Sequence, residues 1–246
     1  LKLSNSEEST PLDPVQRLFN EEAVQWHGKY EPGGSMGRRI ALFASRLRST
    51  TLPPAPILEF GCGTGDLANR LSLDGYDVTA CDIAEEMIGT AQRTFPQARV
   101  RWTRIPTGPT RLPFADGSFE AVVSSSVYEY IDNVDQAFRE CARVLAPDGV
   151  LILTVPNPTH FNRRIEQALR PAAILLCDLR GVDWPRRVRS TLNYLKLSKN
   201  RFPLERWEAL ARQADLHRSG LPVDLSSPLA LLTFRRGTGR TPTARP

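Results

Sequence analysis

Residues 57–67 read Ile57-Leu58-Glu59-Phe60-Gly61-Cys62-Gly63-Thr64-Gly65-Asp66-Leu67. A short apolar run of strand length ends in three glycines at alternate positions, and a helical pattern follows. Glycine lets the backbone turn sharply and approach a ligand with no side chain in between. The stretch therefore reads as a buried strand, a ligand-facing loop and a helix. Downstream the same alternation continues, with strands expected at 57–60, 77–81, 99–103, 119–124 and 149–155 and helices at 66–74, 84–95 and 133–146. The last helix is the clearest. Val134, Ala137, Phe138, Cys141, Val144 and Leu145 share one face, Asn133 stands at the capping position, and Pro147-Asp148-Gly149 stops it. Short strands alternating with helices imply right-handed crossovers and a doubly wound, mostly parallel α/β sheet. Two more strands, near 216–223 and 229–235, bring it to seven.

Outside this frame, residues 13–50 read as two helices broken at Glu31-Pro32-Gly33-Gly34, and 203–215 as a helix with Pro203 in its first turn. Residues 1–12 and 237–246 lack apolar periodicity and are expected to be disordered tails, leaving one domain over 13–236.

The acids around the glycines narrow the ligand. A dinucleotide loop sets a pyrophosphate against a helix N-terminus, where anions are favoured. Here the third glycine comes one position early, Glu59 precedes the loop and Asp66 follows it. Carboxylates repel phosphate and suit a cation, such as the ammonium and sulfonium of the methionine end of S-adenosylmethionine. Asp82, at the end of the second strand, has the position and chemistry to accept hydrogen bonds from a ribose diol; it is also placed to cap the following helix.

Taken together, E-x-G-x-G-x-G and the strand-end Asp82 resemble the class I S-adenosylmethionine-dependent methyltransferases. Leu112-Pro113-Phe114-Ala115-Asp116-Gly117-Ser118-Phe119-Glu120 is similar to the stretch before the fourth strand in the branch that includes ubiquinone and menaquinone methyltransferases, and Arg143-Val144-Leu145-Ala146-Pro147-Asp148-Gly149 to the turn into the fifth. The resemblance covers 37–156 well and 203–235 loosely, and implies a Rossmann-like methyltransferase fold. It places Glu59, Gly61, Cys62, Gly63 and Gly65 at the methionine moiety, Asp82, Ile83 and Met87 at ribose and adenine, and Ser124 and Ser125 beside the sulfonium. It implies that Arg38 or Arg39 pairs with the cofactor carboxylate. Tyr30 joins the cofactor set, and His27, next to Trp26 and Tyr30 on a helix that can cover the cofactor, is a weaker candidate for a base or orienter. The family's usual acid before the LPF motif is missing, since Ile105–Arg111 holds none.

Methyl transfer from a sulfonium requires alignment and exclusion of water, and a base only where the acceptor must lose a proton. The candidates lie beyond the strand ends: Glu129 and Tyr130 after the fourth strand, the tyrosine standing where ubiquinone-type enzymes carry histidine, and His160 after the fifth. A neutral tyrosine, with a reference pKa of about 10, suits orientation better than proton abstraction.

Composition narrows the partners. The 246 residues are 41% hydrophobic and 24% charged, an ordinary globular balance. The four cysteines form no CxxC pair, so no metal site is expected. The longest apolar run, Ala172–Cys177, is far short of the roughly 20 residues needed to cross a bilayer. No leader-like stretch opens the chain, and a cytoplasmic setting is expected. Of the net charge of +5, all the excess lies in 157–202, with ten bases against three acids. That segment occupies the place of a helical substrate lid. It points to a small-molecule acceptor that is anionic, or lipid-like and held at an acidic membrane surface, with O-methylation as the leading chemistry. Nucleic acid is disfavoured because Ser124-Ser125-Ser126 replaces the proline-rich clamp of amino-base methyltransferases. An RNA methyltransferase, a non-catalytic cofactor-binding protein of the same fold and an NAD-dependent reductase stand as alternatives.

Overall fold

The structure, a computed structural model, describes residues 12–30, 35–108, 111–177, 182–223, 225 and 227–238. The expected break at 31–34 and nearly all of both expected tails lie outside the described residues. Helices α1 (Pro14–Trp26) and α2 (Ser35–Arg48) precede β1 (Pro56–Phe60), α3 (Asp66–Leu73), β2 (Asp77–Asp82), α4 (Glu85–Thr94) and β3 (Val100–Arg104). Then follow β4 (Phe119–Ser125), α5 (Val134–Val144), β5 (Leu145–Pro156), α6 (Phe161–Cys177), α7 (Arg186–Leu197), α8 (Leu204–Gln213), β6 (Leu216–Arg218) and β7 (Leu229–Arg236).

The seven strands form one sheet in the order β3-β2-β1-β4-β5-β7-β6. All neighbours from β3 to β5 are parallel, and β7 runs antiparallel to β5 and β6. The period-2 geometry of a strand sends alternate side chains to opposite faces. On β1, Leu58 joins a core with Val122, Phe138, Trp207 and Phe234, while Ile57 joins another with Phe43, Leu47, Leu71 and Val123. Both faces are covered, and the central strands read as nearly continuous apolar runs for that reason.

Two boundaries differ from the sequence reading by more than two residues. The fifth strand starts at Leu145, not 149. Leu145 is already extended and pairs with Phe119, and the register then shifts so that Ala121 meets Val150. The Pro-Asp-Gly turn is thus a bulge within the strand, with Asp148 at φ 61°. The sixth strand is only Leu216–Arg218, cut short before Gly220 and Pro222, which weaken a ladder through backbone freedom and a missing donor.

Candidate active site

Chain direction across the sheet reverses between β1 and β4, and a crevice opens at their carboxyl ends, as expected at such a switch point. It leads into a cavity of about 670 Å³, large enough for a nucleoside-sized ligand with a small second molecule. The glycine loop is its floor. Gly61 and Cys62 N–H groups both donate to Cys81 O, at 2.8 and 3.0 Å, which pins the turn to the end of β2. Two glycines then have different duties. Gly63 (φ +52°) lines the cavity, and a Cβ there would lie 3.5 Å from the Trp26 indole nitrogen in ordinary contact. Gly65 (φ +78°) faces away. A Cβ there would come within 2.4 Å of the Trp102 ring and 2.9 Å of Ala91, so this glycine lets α3 close against β3 and α4.

Asp82 bridges the loop and the next helix. Its Oδ2 accepts from Gly63 N at 2.8 Å and its Oδ1 from Ala84 N at 2.9 Å. Neither bond goes to the first free N–H groups inside α4. Instead Asn20 on α1 supplies that cap, its Oδ1 accepting from Glu86 N at 3.1 Å. Glu59 is 2% exposed, lines the cavity, and its Oε2 is buried without a hydrogen-bond partner. Burial pushes its carboxyl well above the ordinary range, and the nearby Asp66 and Asp82 carboxylates push it further. Burial also raises Asp82 and Asp66, the latter opposed by a hydrogen bond from Thr64 and by His27, whose Nδ1 is 2.7 Å from Asp66 Oδ1. An acid-lined pocket with an unsatisfied carboxylate oxygen is a place for a cation.

Helix α1 forms the roof. Gln16 Nε2 donates to Ile83 O at 3.1 Å, and Phe19 meets both Trp26 and Tyr130 edge to face. Lys29 lies over the Trp26 ring. From α2, Arg39 lines the cavity and donates to Ser126 Oγ at 3.0 Å, and it has no ion pair among the described residues. Burial lowers its pKa, so an anion in front of it would be well received.

The far wall comes from the loop after β4 and from the insert. Glu129 is buried, and its Oε2 accepts from Ser198 Oγ at 2.5 Å and lies 3.9 Å from Arg163. Burial raises its pKa, opposed by Arg163, Ser198 and Arg201. Glu166 ties the set together: Arg163 and Arg201 each reach its Oε2 at 2.8 Å, and Tyr194 donates to the same oxygen at 3.0 Å. Burial holds the Tyr130 phenol far above its usual value.

Of the residues expected from sequence, Tyr30, Glu59, Gly61, Cys62, Gly63, Asp82, Ile83, Met87, Ser125, Glu129 and Tyr130 all line the cavity. Four do not. Gly65 packs beneath the loop; Arg38 is exposed while its neighbour Arg39 faces inward; Ser124 is buried, donating to Phe60 O at 2.9 Å; and His160 sits off the wall, its Nδ1 accepting from Asn162 N at 3.3 Å. The sequence reading missed Arg163, Tyr194 and the roof residues Phe19 and Gln16. The basic insert pointed to the first two only as a segment, and nothing in the sequence singled out the last two. Among the described residues no group of acids, histidines and cysteines is arranged to hold a metal.

A family model described as "Methyltransferase domain" matches residues 58–153. Residues 58–153 form a class I S-adenosylmethionine-dependent methyltransferase domain. The malonyl-[acyl-carrier protein] O-methyltransferase of Geobacter sulfurreducens is 38% identical over 60% of this chain and 55% of its own. The demethylmenaquinone methyltransferase of Beutenbergia cavernae is 34% identical over 41% of this chain and 40% of its own. The chain thus spans about half the length, or less, of these relatives. An S-adenosylmethionine-dependent methyltransferase from Thermotoga maritima has the same fold, with a TM-score of 0.63 at 17% identity over 89% of this chain and 99% of that one. The methyltransferase domain's cofactor is S-adenosylmethionine, and the pocket fits it. The orphaned Glu59 oxygen suits an ammonium, unpaired Arg39 a carboxylate, Asp82 a ribose diol, and the bare Gly63 backbone a close approach.

Proposed function

We propose that this chain transfers a methyl group from S-adenosylmethionine to an oxygen of an anionic small molecule, and that the oxygen belongs to a carboxylate. The cofactor supplies a methyl group on a sulfonium, already activated for displacement. Glu59, Asp82 and Arg39 hold its charged and polar ends. Helix α1, through Phe19 and Trp26, keeps water from the reacting centre, and Tyr130 and Tyr194 orient the acceptor against the opposite wall.

One observation carries the choice of acceptor: the acceptor wall offers a cation and no free base. With Arg39 given to the cofactor carboxylate, Arg163 faces the cavity on the acceptor side, no described histidine lines it, and the Tyr130 phenol is held far above neutral pH. Glu129 is engaged by Ser198 and Arg163, and Asp132 by Lys199. A hydroxyl acceptor would need a base. An amine would carry positive charge toward the Arg163 guanidinium. A carboxylate meets both conditions, because it is ionised at neutral pH with a reference pKa near 4 and is attracted by arginine. The O-methyltransferase named in Geobacter sulfurreducens accords with this chemistry.

Radiolabelled S-adenosylmethionine offered with pools of carboxylic acids and acyl thioesters, phenols and amines tests the reading. Label released as methanol by mild alkali identifies a methyl ester and supports it. Label recovered only in alkali-stable ether or amine products overturns it.

A further inference from the structure

Helix α6 is built inside out. Its polar residues Arg163, Glu166 and Arg170 face the protein: Arg163 Nε donates to Pro228 O at 2.9 Å, Arg170 Nε to Leu195 O at 3.1 Å, and Glu166 sits among Arg163, Arg201 and Tyr194. Ala173, Leu176 and Cys177 pack inward with Leu192 and Leu195 of α7, but most of the helix's large apolar residues face outward. Phe161 is 70% exposed, Ile165 42%, Leu169 53% and Leu175 68%, with exposed Ala168 and Ala172 between them. At 100° per residue, Phe161, Ile165, Ala168, Ala172 and Leu175 fall within one narrow stripe, about 21 Å long at 1.5 Å per residue. Single exposed apolar residues are ordinary, whereas a continuous stripe on one helix marks an interaction surface.

The charge around the stripe selects the occupant. Exposed Arg164 borders it on the same helix, and exposed Arg187 stands in the first turn of α7, which packs against α6, while its neighbours Arg186 and Arg189 reach Glu21 O and Asp183. A second copy of the chain meeting this face about a two-fold axis would bring these arginines toward their own kind. An apolar ridge with basic flanks needs an anionic partner that also accepts side chains of any shape. A bilayer rich in acidic lipid provides both, its acyl boundary for Phe161 and Leu175 and its headgroups for the arginines. No described helix is long and apolar enough to cross a membrane, so the contact is peripheral.

We infer that the outer face of α6 docks on the surface of an anionic lipid bilayer. The inner face of the same helix carries Arg163 into the cavity wall, so docking would set the acceptor side of the site against the lipid. The inference does not depend on which reaction the site performs.

Co-sedimentation of the full chain with vesicles of phosphatidylcholine alone, or of phosphatidylcholine with phosphatidylglycerol, tests it. The chain is expected to bind the mixed vesicles at least tenfold more tightly, with binding weakened by added salt. Phe161→Glu combined with Leu175→Glu, both remote from the cavity lining, should lower that affinity about tenfold while S-adenosylmethionine binding and the melting temperature stay unchanged. Failure to bind the mixed vesicles, equal binding to both kinds, or undiminished binding by the double variant overturns it. So does a solution dimer that the double variant splits, which would assign the stripe to a second copy, or pull-down by an acidic protein with no vesicle binding.

Discussion

Asp82 and Gly63 are joined by a 2.8 Å hydrogen bond from the glycine N–H to Oδ2, which ties the end of β2 to a loop glycine that lines the cavity. The carboxylate therefore does two things: it sets the height of the loop and keeps lone pairs for a ligand diol. Asp82→Ala removes both. Cofactor affinity should fall by roughly 1–3 kcal/mol, the scale of charge-assisted hydrogen bonds, as read by calorimetric titration with S-adenosylmethionine. Unaltered affinity would remove Asp82 from the site.

The glycines of the loop should separate by phenotype. Gly65→Ala drives a methyl group into Trp102 and Ala91 at a left-handed φ, and is expected to cost several kcal/mol of stability. Gly63→Ala meets only ordinary contacts and costs about 1 kcal/mol for the backbone conformation, but it fills the space where a ligand approaches. Urea unfolding should thus rank Gly65→Ala as the less stable variant, while calorimetry should show the sharper relative loss of cofactor binding in folded Gly63→Ala.

Glu59 predicts a pH dependence with a definite sign. In the free protein its raised pKa means that the folded state holds a proton the unfolded chain has released. Its contribution to stability is therefore greatest below the ordinary glutamate value of 4.5 and declines as pH rises toward the raised pKa. A bound cation favours the carboxylate and expels the proton. Affinity for S-adenosylmethionine should accordingly rise with pH through the window above 4.5, and titration in buffers of different ionisation heat should detect proton release. Glu59→Gln should flatten the dependence and weaken binding about tenfold, equivalent to about 1.4 kcal/mol. A wild-type affinity that is level across that window would mean that Glu59 meets no cation.

Those three tests address residues that were legible in the sequence, because strand, loop and strand-end acid are local features with fixed spacing. The seven strands and the glycine turn followed from the same periodicity, though the order of the strands in the sheet did not. What escaped was non-local. Arg39 and Arg38 are adjacent and chemically equal, and only the rotation of α2 decides which one reaches Ser126. Gly65 looked like a ligand glycine because nothing in the sequence brings Trp102 over it. His160 was a reasonable base by chemistry, but it stands just before α6 with its ring turned to Asn162 N, off the wall. The basic insert read as a charged segment, with no sign that Arg163 and Arg201 turn inward onto Glu166 while apolar residues turn out.

That inward turn makes the fourth prediction. Arg163 and Arg201 share Glu166, and Arg163 also lies near buried Glu129, so the insert is fastened to the loop after β4 by charges removed from water. Removing one member of a buried ion pair costs about 3–5 kcal/mol because the partner charge is left uncompensated, whereas removing both can be nearly neutral. In Arg163→Met the Arg201 guanidinium still meets Glu166, which is partly exposed, so the loss of stability to urea should be smaller, about 1–3 kcal/mol, with the apolar part of the packing largely kept by the long methionine side chain. Adding Glu166→Gln to the same chain should recover part of the loss, with a coupling of about 0.5–3 kcal/mol in a double-mutant cycle. Simple additivity of the two substitutions would show that the pair is not what fastens the insert, and the hold would then rest on the Ser198–Glu129 hydrogen bond and the backbone N–H groups of Lys199 and Asn200 on Glu129 O.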